Sequence, residues 1–181
     1  FLATHKFYSP NDSAQAKIVL AEPGEDGWEV RTLVDLPFVH RFDILESGGK
    51  SYLIACTLKS AHSGKDDWSS PGKVYAAELP QDLRIYNEIN PFPLKVIAEG
   101  LTKNHGFCSM EREGVVSALI CAKSGVFSYY PPATPDGAWR IEQLLDTPAS
   151  DAVLVDFDGD GQDELLTIEP FHGDCVRIYK K

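Results

Sequence analysis

The stretch Asp156-Phe-Asp-Gly-Asp-Gly-Gln-Asp-Glu164 lies between Ala152-Val-Leu-Val155 and Leu165-Leu-Thr-Ile168, and its reading decides the fold. Asp156, Asp158 and Asp160 alternate, Gly161 follows, and Glu164 closes the run. Carboxylates at loop positions 1, 3, 5 and 9 with glycine at 6 can wrap one hard cation, the glycine supplying the sharp turn. The main-chain carbonyl of Gln162 would complete an all-oxygen shell of the kind Ca²⁺ prefers. An EF-hand needs a helix on either side and Glu at position 12, but position 12 here is Thr167. The flanks are short, apolar and β-branched, so the pattern predicts a calcium loop at the tip of a β-hairpin.

Outside this loop the chain repeats itself. One kind of strand is Lys17–Glu22, Lys73–Glu78, Val126–Tyr130 and Val176–Tyr179, with successive starts 56, 53 and 50 residues apart. A second kind follows three of these: Trp28–Leu33, Leu94–Ala98 and Trp139–Leu144. A third is Val39–Leu45, His105–Met110 and Ala152–Val155, and a fourth is Phe1–Thr4, Tyr52–Cys56, Ser117–Cys121 and Leu165–Ile168. Turn signals separate them, among them Pro23-Gly24, Gly48-Gly49, Pro71-Gly72, Pro131-Pro132 and Asp136-Gly137. Two matches are identical at an offset of 65: His40-x-Phe42 with His105-x-Phe107, and Cys56 with Cys121. Four short strands per unit of about 50 residues, with no helix-period window, predict an all-β chain built as a β-propeller.

The run Val155-Asp-Phe-Asp-Gly-Asp-Gly-Gln-Asp-Glu-Leu-Leu166 resembles the FG-GAP/VCBS repeat of integrin-type β-propellers, with Glu164 where that family usually carries Asp. The resemblance implies a loop joining the two innermost strands of a blade. In that order the chain divides into a partial blade over 1–36, blades over 37–101 and 102–147, and a partial blade over 148–181. The expectation is two complete and two partial four-stranded antiparallel blades of a larger propeller, whose remaining blades lie outside this chain; the alternative is a small propeller closed by strand exchange. Inner strands run from an upper face down a central channel, so the calcium loop falls on the lower face with a structural role.

All five histidines map to the upper face. His40 and His105 begin inner strands; His5, His62 and His172 lie at strand ends or in the loops that follow. Asp151 sits within a residue or two of the position that His40 and His105 take in their own blades. Two imidazoles and a carboxylate oxygen suit Zn²⁺ or another divalent transition metal, which makes His40, His105 and Asp151 a candidate second site. The alternative is a polar, water-filled channel without metal.

Beside this mouth lies the longest loop, Lys59-Ser-Ala-His-Ser-Gly-Lys-Asp-Asp-Trp-Ser-Ser-Pro-Gly72. Trp68 offers a flat face for a sugar ring, while Lys65, Asp66 and Asp67 can hydrogen-bond hydroxyls. His62 and His172 join them as candidate ligand-binding residues, with Tyr8, Arg41 and Lys103 at the rim. The His-x-Phe strands and this loop also resemble the propeller portion of aldos-2-ulose dehydratase-type proteins, over residues 37–75. That resemblance implies a metal-dependent lyase or dehydratase acting on oxidised sugars, without a residue matching a named catalytic base.

Composition narrows the partners. A net charge of −10 over 181 residues argues against nucleic acid, whose phosphates it would repel. No apolar run approaches the ~20 residues that span a bilayer. Cys56, Cys108, Cys121 and Cys175 lack metal or redox spacing and read as free buried thiols, which favours a reducing compartment. The calcium loop favours an extracellular one, as does the sequon Asn11-Asp-Ser13. Three functions are expected from these residues. The first is carbohydrate or other small polar ligand binding with structural calcium; the others are a metal-assisted lyase and a protein–protein interaction propeller.

Overall fold

The computed structural model describes residues 1–8, 13–134 and 137–180; Asn11 and Asp12 of the sequon and Asp136 of one turn signal lie outside them. Its strands form four separate antiparallel meanders. The first joins β1 (Leu2–His5), β2 (Lys17–Gly24) and β3 (Gly27–Asp35). The second joins β4 (Val39–Ser47), β5 (Lys50–Thr57), β6 (Gly72–Leu79) and β7 (Lys95–Leu101). The third joins β8 (Gly106–Arg112), β9 (Val115–Ala122), β10 (Gly125–Tyr130) and β11 (Arg140–Leu145). The fourth joins β12 (Asp151–Val155), β13 (Glu164–Glu169) and β14 (Cys175–Tyr179).

Within each sheet every strand pairs with its neighbour in sequence, and tight turns set the registers of β4 with β5 and of β8 with β9. Gly48 and Gly49 have φ of 59° and 75°, and Glu113 and Gly114 have 51° and 76°. Positive φ at both central residues matches the twist of the strands a two-residue hairpin connects. The equivalent connection in the fourth sheet, between β12 and β13, is the longer acidic loop.

The apolar runs of β5 and β9 are explained by what covers their two faces. Leu53 and Ala55 of β5 pack with Ile18 and Leu33 of the first sheet. Ile54 and Cys56, pointing the other way, pack with Ala118, Ile120 and Tyr129 of the third. In β9, Leu119 and Cys121 turn from that core toward Ala152 and Leu165 of the fourth sheet. A strand with both faces buried reads as a continuous apolar run, although its side chains still alternate. Three cores thus stack four sheets in chain order. Strands of neighbouring sheets touch in the same order, β1 touching β4, β4 touching β8 and β9, and these touching β12.

The contact between β8 and β12 is close. A Cβ on Gly106 would come within 2.6 Å of the Ser150 carbonyl oxygen and 2.8 Å of Asp151 Cα. Glycine is required there for backbone approach. Of the cysteines, all free, only Cys56 and Cys121 are fully buried, whereas Cys108 and Cys175 are partly exposed. Burial pushes the Cys56 thiol up to about 12 and raises Cys121 as well, so neither is a nucleophile at neutral pH.

Candidate functional site

Register places the histidines and the acidic loop at opposite ends of the sheets. Along β12 and β13 the pairing runs from Asp151↔Ile168 to Val155↔Glu164. The acidic loop therefore caps one end, and the connection carrying His172 leaves the other, about 13 Å away at 3.3 Å per residue. His40 lies at the His172 end, where the register of β4 against β5 shifts between Val39 and Arg41. A bulge of this kind leaves a residue unpaired and re-aims its side chain.

At that end a cleft of about 850 Å³ is lined by His40, His62, Asp66, Trp68, His105 and His172, among others. Six of the expected site residues thus meet, drawn from the second, third and fourth sheets and the long loop. Tyr8 and Lys65 also line it. The walls add Phe7, Phe38, Leu58, Lys59 and Phe171, which sequence reasoning missed. Phe38 and His172 carry φ of 62° and 52°, as does Lys103 at 55°. Non-glycine residues held in this region are sparse and cluster at ligand sites.

The histidines are ordered by the backbone. His40 Nδ1 lies 3.1 Å from the His105 carbonyl oxygen, and His105 Nδ1 lies 3.1 Å from that of Ser150. A carbonyl can only accept, so both Nδ1 atoms carry the proton and both Nε2 atoms keep a lone pair. His105 Nε2 sits 3.2 Å from His172 Nε2, so His172 donates this bond. Burial, then the neighbouring His105 and Arg41, lowers His40 to about 4. Burial lowers His105 too. Both imidazoles are neutral at physiological pH.

The long loop is built around two residues turned inward. The Asp67 carboxylate accepts from the amides and hydroxyls of Ser63 and Ser69, at 2.7–2.9 Å. These bonds, that from the Ser69 hydroxyl foremost, hold its carboxyl well below the usual carboxylate range. Asp67 therefore staples the loop rather than presenting a free ligand group, unlike the sequence expectation. Lys59, only 5% exposed, donates to the carbonyls of Lys65 and Asp67 and stands 4.0 Å from the centre of the Trp68 ring. One indole face is covered by it, while the ring edge meets Phe171 at 5.2 Å.

Asp151 does not join the histidines. Its Oδ1 accepts from the amide of Ala152, and it lies outside the cleft lining. Among the described residues, one group of three His, Cys, Asp or Glu brings ligand atoms within 4.8 Å of one another: Asp156, Asp158 and Glu164. His40, His105 and Asp151 form no such group. Arg41 borders a neighbouring groove with Asp43 and Ser109, whose side chains are hydrogen-bonded to each other.

In the acidic loop, Gly161 donates to Asp156, Asp160 to Asp158, Gln162 to Asp160 and Phe157 to Glu164. The backbone is thereby curled around its own carboxylates. Asp156 Oδ1 and Glu164 Oε1 are buried without a hydrogen-bond donor, and Glu164 is only 2% exposed. Buried carboxylate oxygens left in this state are the donor set a hard cation satisfies. Lys180 approaches from outside, its Nζ 2.5 Å from Asp158 Oδ2, 2.7 Å from Asp160 Oδ2 and 3.8 Å from Glu164 Oε1. Sequence reading had missed this ammonium. Asp160 and Gln162 stand outside the convergent triad, although both belong to the curl.

Neither a scan against protein-family models nor a search of the curated proteins finds a match to this chain. The functional reading therefore rests on the geometry of the cleft and of the acidic loop.

Proposed function

We propose that the four sheets are blades of a β-propeller whose histidine-bearing end binds a carbohydrate or other small polar ligand, with Ca²⁺ in the acidic loop as a structural ion. The observation that carries this reading is the meeting of His40, His62, Trp68, His105 and His172, from distant segments, in one cleft of about 850 Å³. That size and its mixture of aromatic walls with a few polar groups suit a small ligand. The stacking of three cores between four meanders, inner strand against inner strand, supports the propeller. The orphaned oxygens of Asp156 and Glu164 support the ion, which would tie the β12–β13 hairpin while the opposite end recognises ligand. Titration of sugars followed by tryptophan fluorescence tests the proposal, with Trp68→Phe and His172→Ala expected to abolish the response. A saturable response unchanged in both variants would place binding elsewhere.

A second reading, metal-assisted lyase chemistry on oxidised sugars, is favoured by the imidazole geometry. The Nε2 atoms of His105 and His172 are 3.2 Å apart, and the Nδ1 proton of His105 is held by Ser150. A carbonyl holding the far ring nitrogen in this way orients a metal ligand or a base. His105 and His172 are the residues that would hold a divalent transition metal, which when bound would polarise a carbonyl. Without it, His105 Nε2 is engaged as the acceptor of the His172 bond and burial lowers its basicity, so it is a poor base for a proton α to a carbonyl. Metal analysis of purified protein separates the readings: a stoichiometric transition metal lost in His105→Ala and His172→Ala supports the lyase.

A further inference from the structure

The chain carries a net charge of −10, yet the wall formed by Trp68 and Phe171 is cationic. Lys59 Nζ stands 4.0 Å from the Trp68 ring centre and Lys103 Nζ 5.4 Å from it. Lys103 Nζ is also 4.8 Å from the centre of Phe171. Two ammonium groups thus share one indole, and Lys65 lines the same cleft. Among the described residues, no carboxylate lies within ion-pair distance of Lys59, Lys65 or Lys103.

The two nearby acids offset part of this excess and leave one of the three positive charges unbalanced. Asp67, bonded to Ser63 and Ser69, keeps its negative charge and acts with Asp66 on Lys59, Asp66 being the one carboxylate among the lining residues. Neutral His40 and His105 add no charge of either sign. Burying Lys59 costs free energy that two carbonyls and a ring face offset only in part. Asp67 and Asp66 supply the rest of its compensation, so the ammonium groups left for a ligand are Lys65 in the lining and Lys103 beside it. Lys103 is held over the rings by a left-handed backbone at φ 55°, a conformation a lysine adopts at a cost.

The geometry points to a carboxylate-bearing carbohydrate, a uronate rather than a neutral sugar, as the ligand class of this cleft. Its acid group docks at Lys65 of the lining and at Lys103, which lies outside the lining but over the Trp68 and Phe171 rings, and its hydroxyls face Asp66 and the imidazoles. This inference rests on the carbohydrate reading above and deepens it. Aromatic rings take the apolar face of a sugar, while charge-assisted bonds to an ammonium are roughly twice as strong as neutral ones. The acidic remainder of the surface would repel an anion everywhere else, which focuses it on this end.

The test titrates the di- and trisaccharides of galacturonic acid, free galacturonate and the matching neutral galactose oligomers into the whole chain. Calorimetry and tryptophan fluorescence report binding at low and high salt, with calcium held constant. The inference expects uronates to bind about tenfold or more tightly than their neutral counterparts, with affinity falling as salt rises. Lys103→Gln should remove that preference and leave thermal stability unchanged. Free galacturonate binding as well as the trimer assigns the site to a single sugar; binding by the oligomers alone assigns it to a polymer segment. Equal affinity for both classes, unaltered in Lys103→Gln, overturns the charge inference and leaves the carbohydrate reading standing. No response to any sugar sinks both. Uronate binding indifferent to both Lys103→Gln and Trp68→Phe also overturns the inference, because it places the anion outside this cleft.

Discussion

His105 and His172, 67 residues apart in sequence, bring their Nε2 atoms to 3.2 Å across the junction of two sheets. Each is placed by a different device. His105 is aimed by the Ser150 carbonyl, and His172 is stacked on Phe171 at 4.1 Å in a left-handed turn. Replacing Phe171 by Ala should therefore loosen His172 and lower ligand affinity as much as His172→Ala does. Calorimetric titration checks the pair, and their double variant should show no further loss because they act as one unit.

Acid should destabilise the protein through His40. Its folded pKa of about 4 lies below the ordinary value of 6.5, so the unfolded chain binds the proton more readily. The sign follows: stability is fully present above 6.5 and falls as pH drops toward 4. At roughly 1.4 kcal/mol per pKa unit, the loss attributable to this one residue is about 3 kcal/mol. Thermal melts from neutral to acidic pH should show His40→Gln losing less of its neutral-pH stability than the parent.

The acidic loop should respond to calcium in competition with its own lysine. Ca²⁺ at about 10⁻⁴–10⁻³ M should raise the melting temperature, the range expected of extracellular modules. Lys180→Ala should lower stability without the ion, because Asp158 and Asp160 then repel unscreened, and should shift the calcium midpoint severalfold lower. Asp158→Ala should abolish the calcium response. Glu164→Gln, which keeps the buried volume, should weaken it.

Gly106→Ala should cost about 1–3 kcal/mol, typical of an overpacked site. The added carbon meets backbone, the Ser150 carbonyl and Asp151 Cα, rather than a side chain able to swing away. Because the same carbonyl holds His105, the imidazole NMR resonances of His105 should move as well.

Removing Asp67 should act on the loop alone. Its bonds to Ser63 and Ser69 hold the segment that carries Trp68. Asp67→Ala should speed amide exchange across residues 60–70 and weaken ligand binding. Global stability should stay within about 0.5 kcal/mol, as for most surface changes.

The strand order was legible because each sheet is a local meander. Tight turns such as Gly48-Gly49 leave their mark in neighbouring residues, and a strand buried on both faces, such as β5, declares itself by an unbroken apolar run. The curl of the acidic loop was legible for the same reason, since its bonds join residues within seven positions of one another. The shared end of His40 and His105 followed from their matching places in two repeats.

What the chain could not announce were contacts between units. Phe171 and Lys59 look like ordinary loop residues until one lies beside Trp68 and the other beneath it. Lys180 sits outside the loop motif, and only the pairing of β13 with β14 carries it onto Asp158 and Asp160. Asp67 and Asp66 are adjacent acids in sequence, and the direction each faces, inward to two serines or outward to the cleft, is a property of the folded loop. Local hydrogen bonding and the period of burial write the strands into the residue order. The partners of a side chain across a sheet junction depend on how separate units stack, and that is decided only when the three cores close.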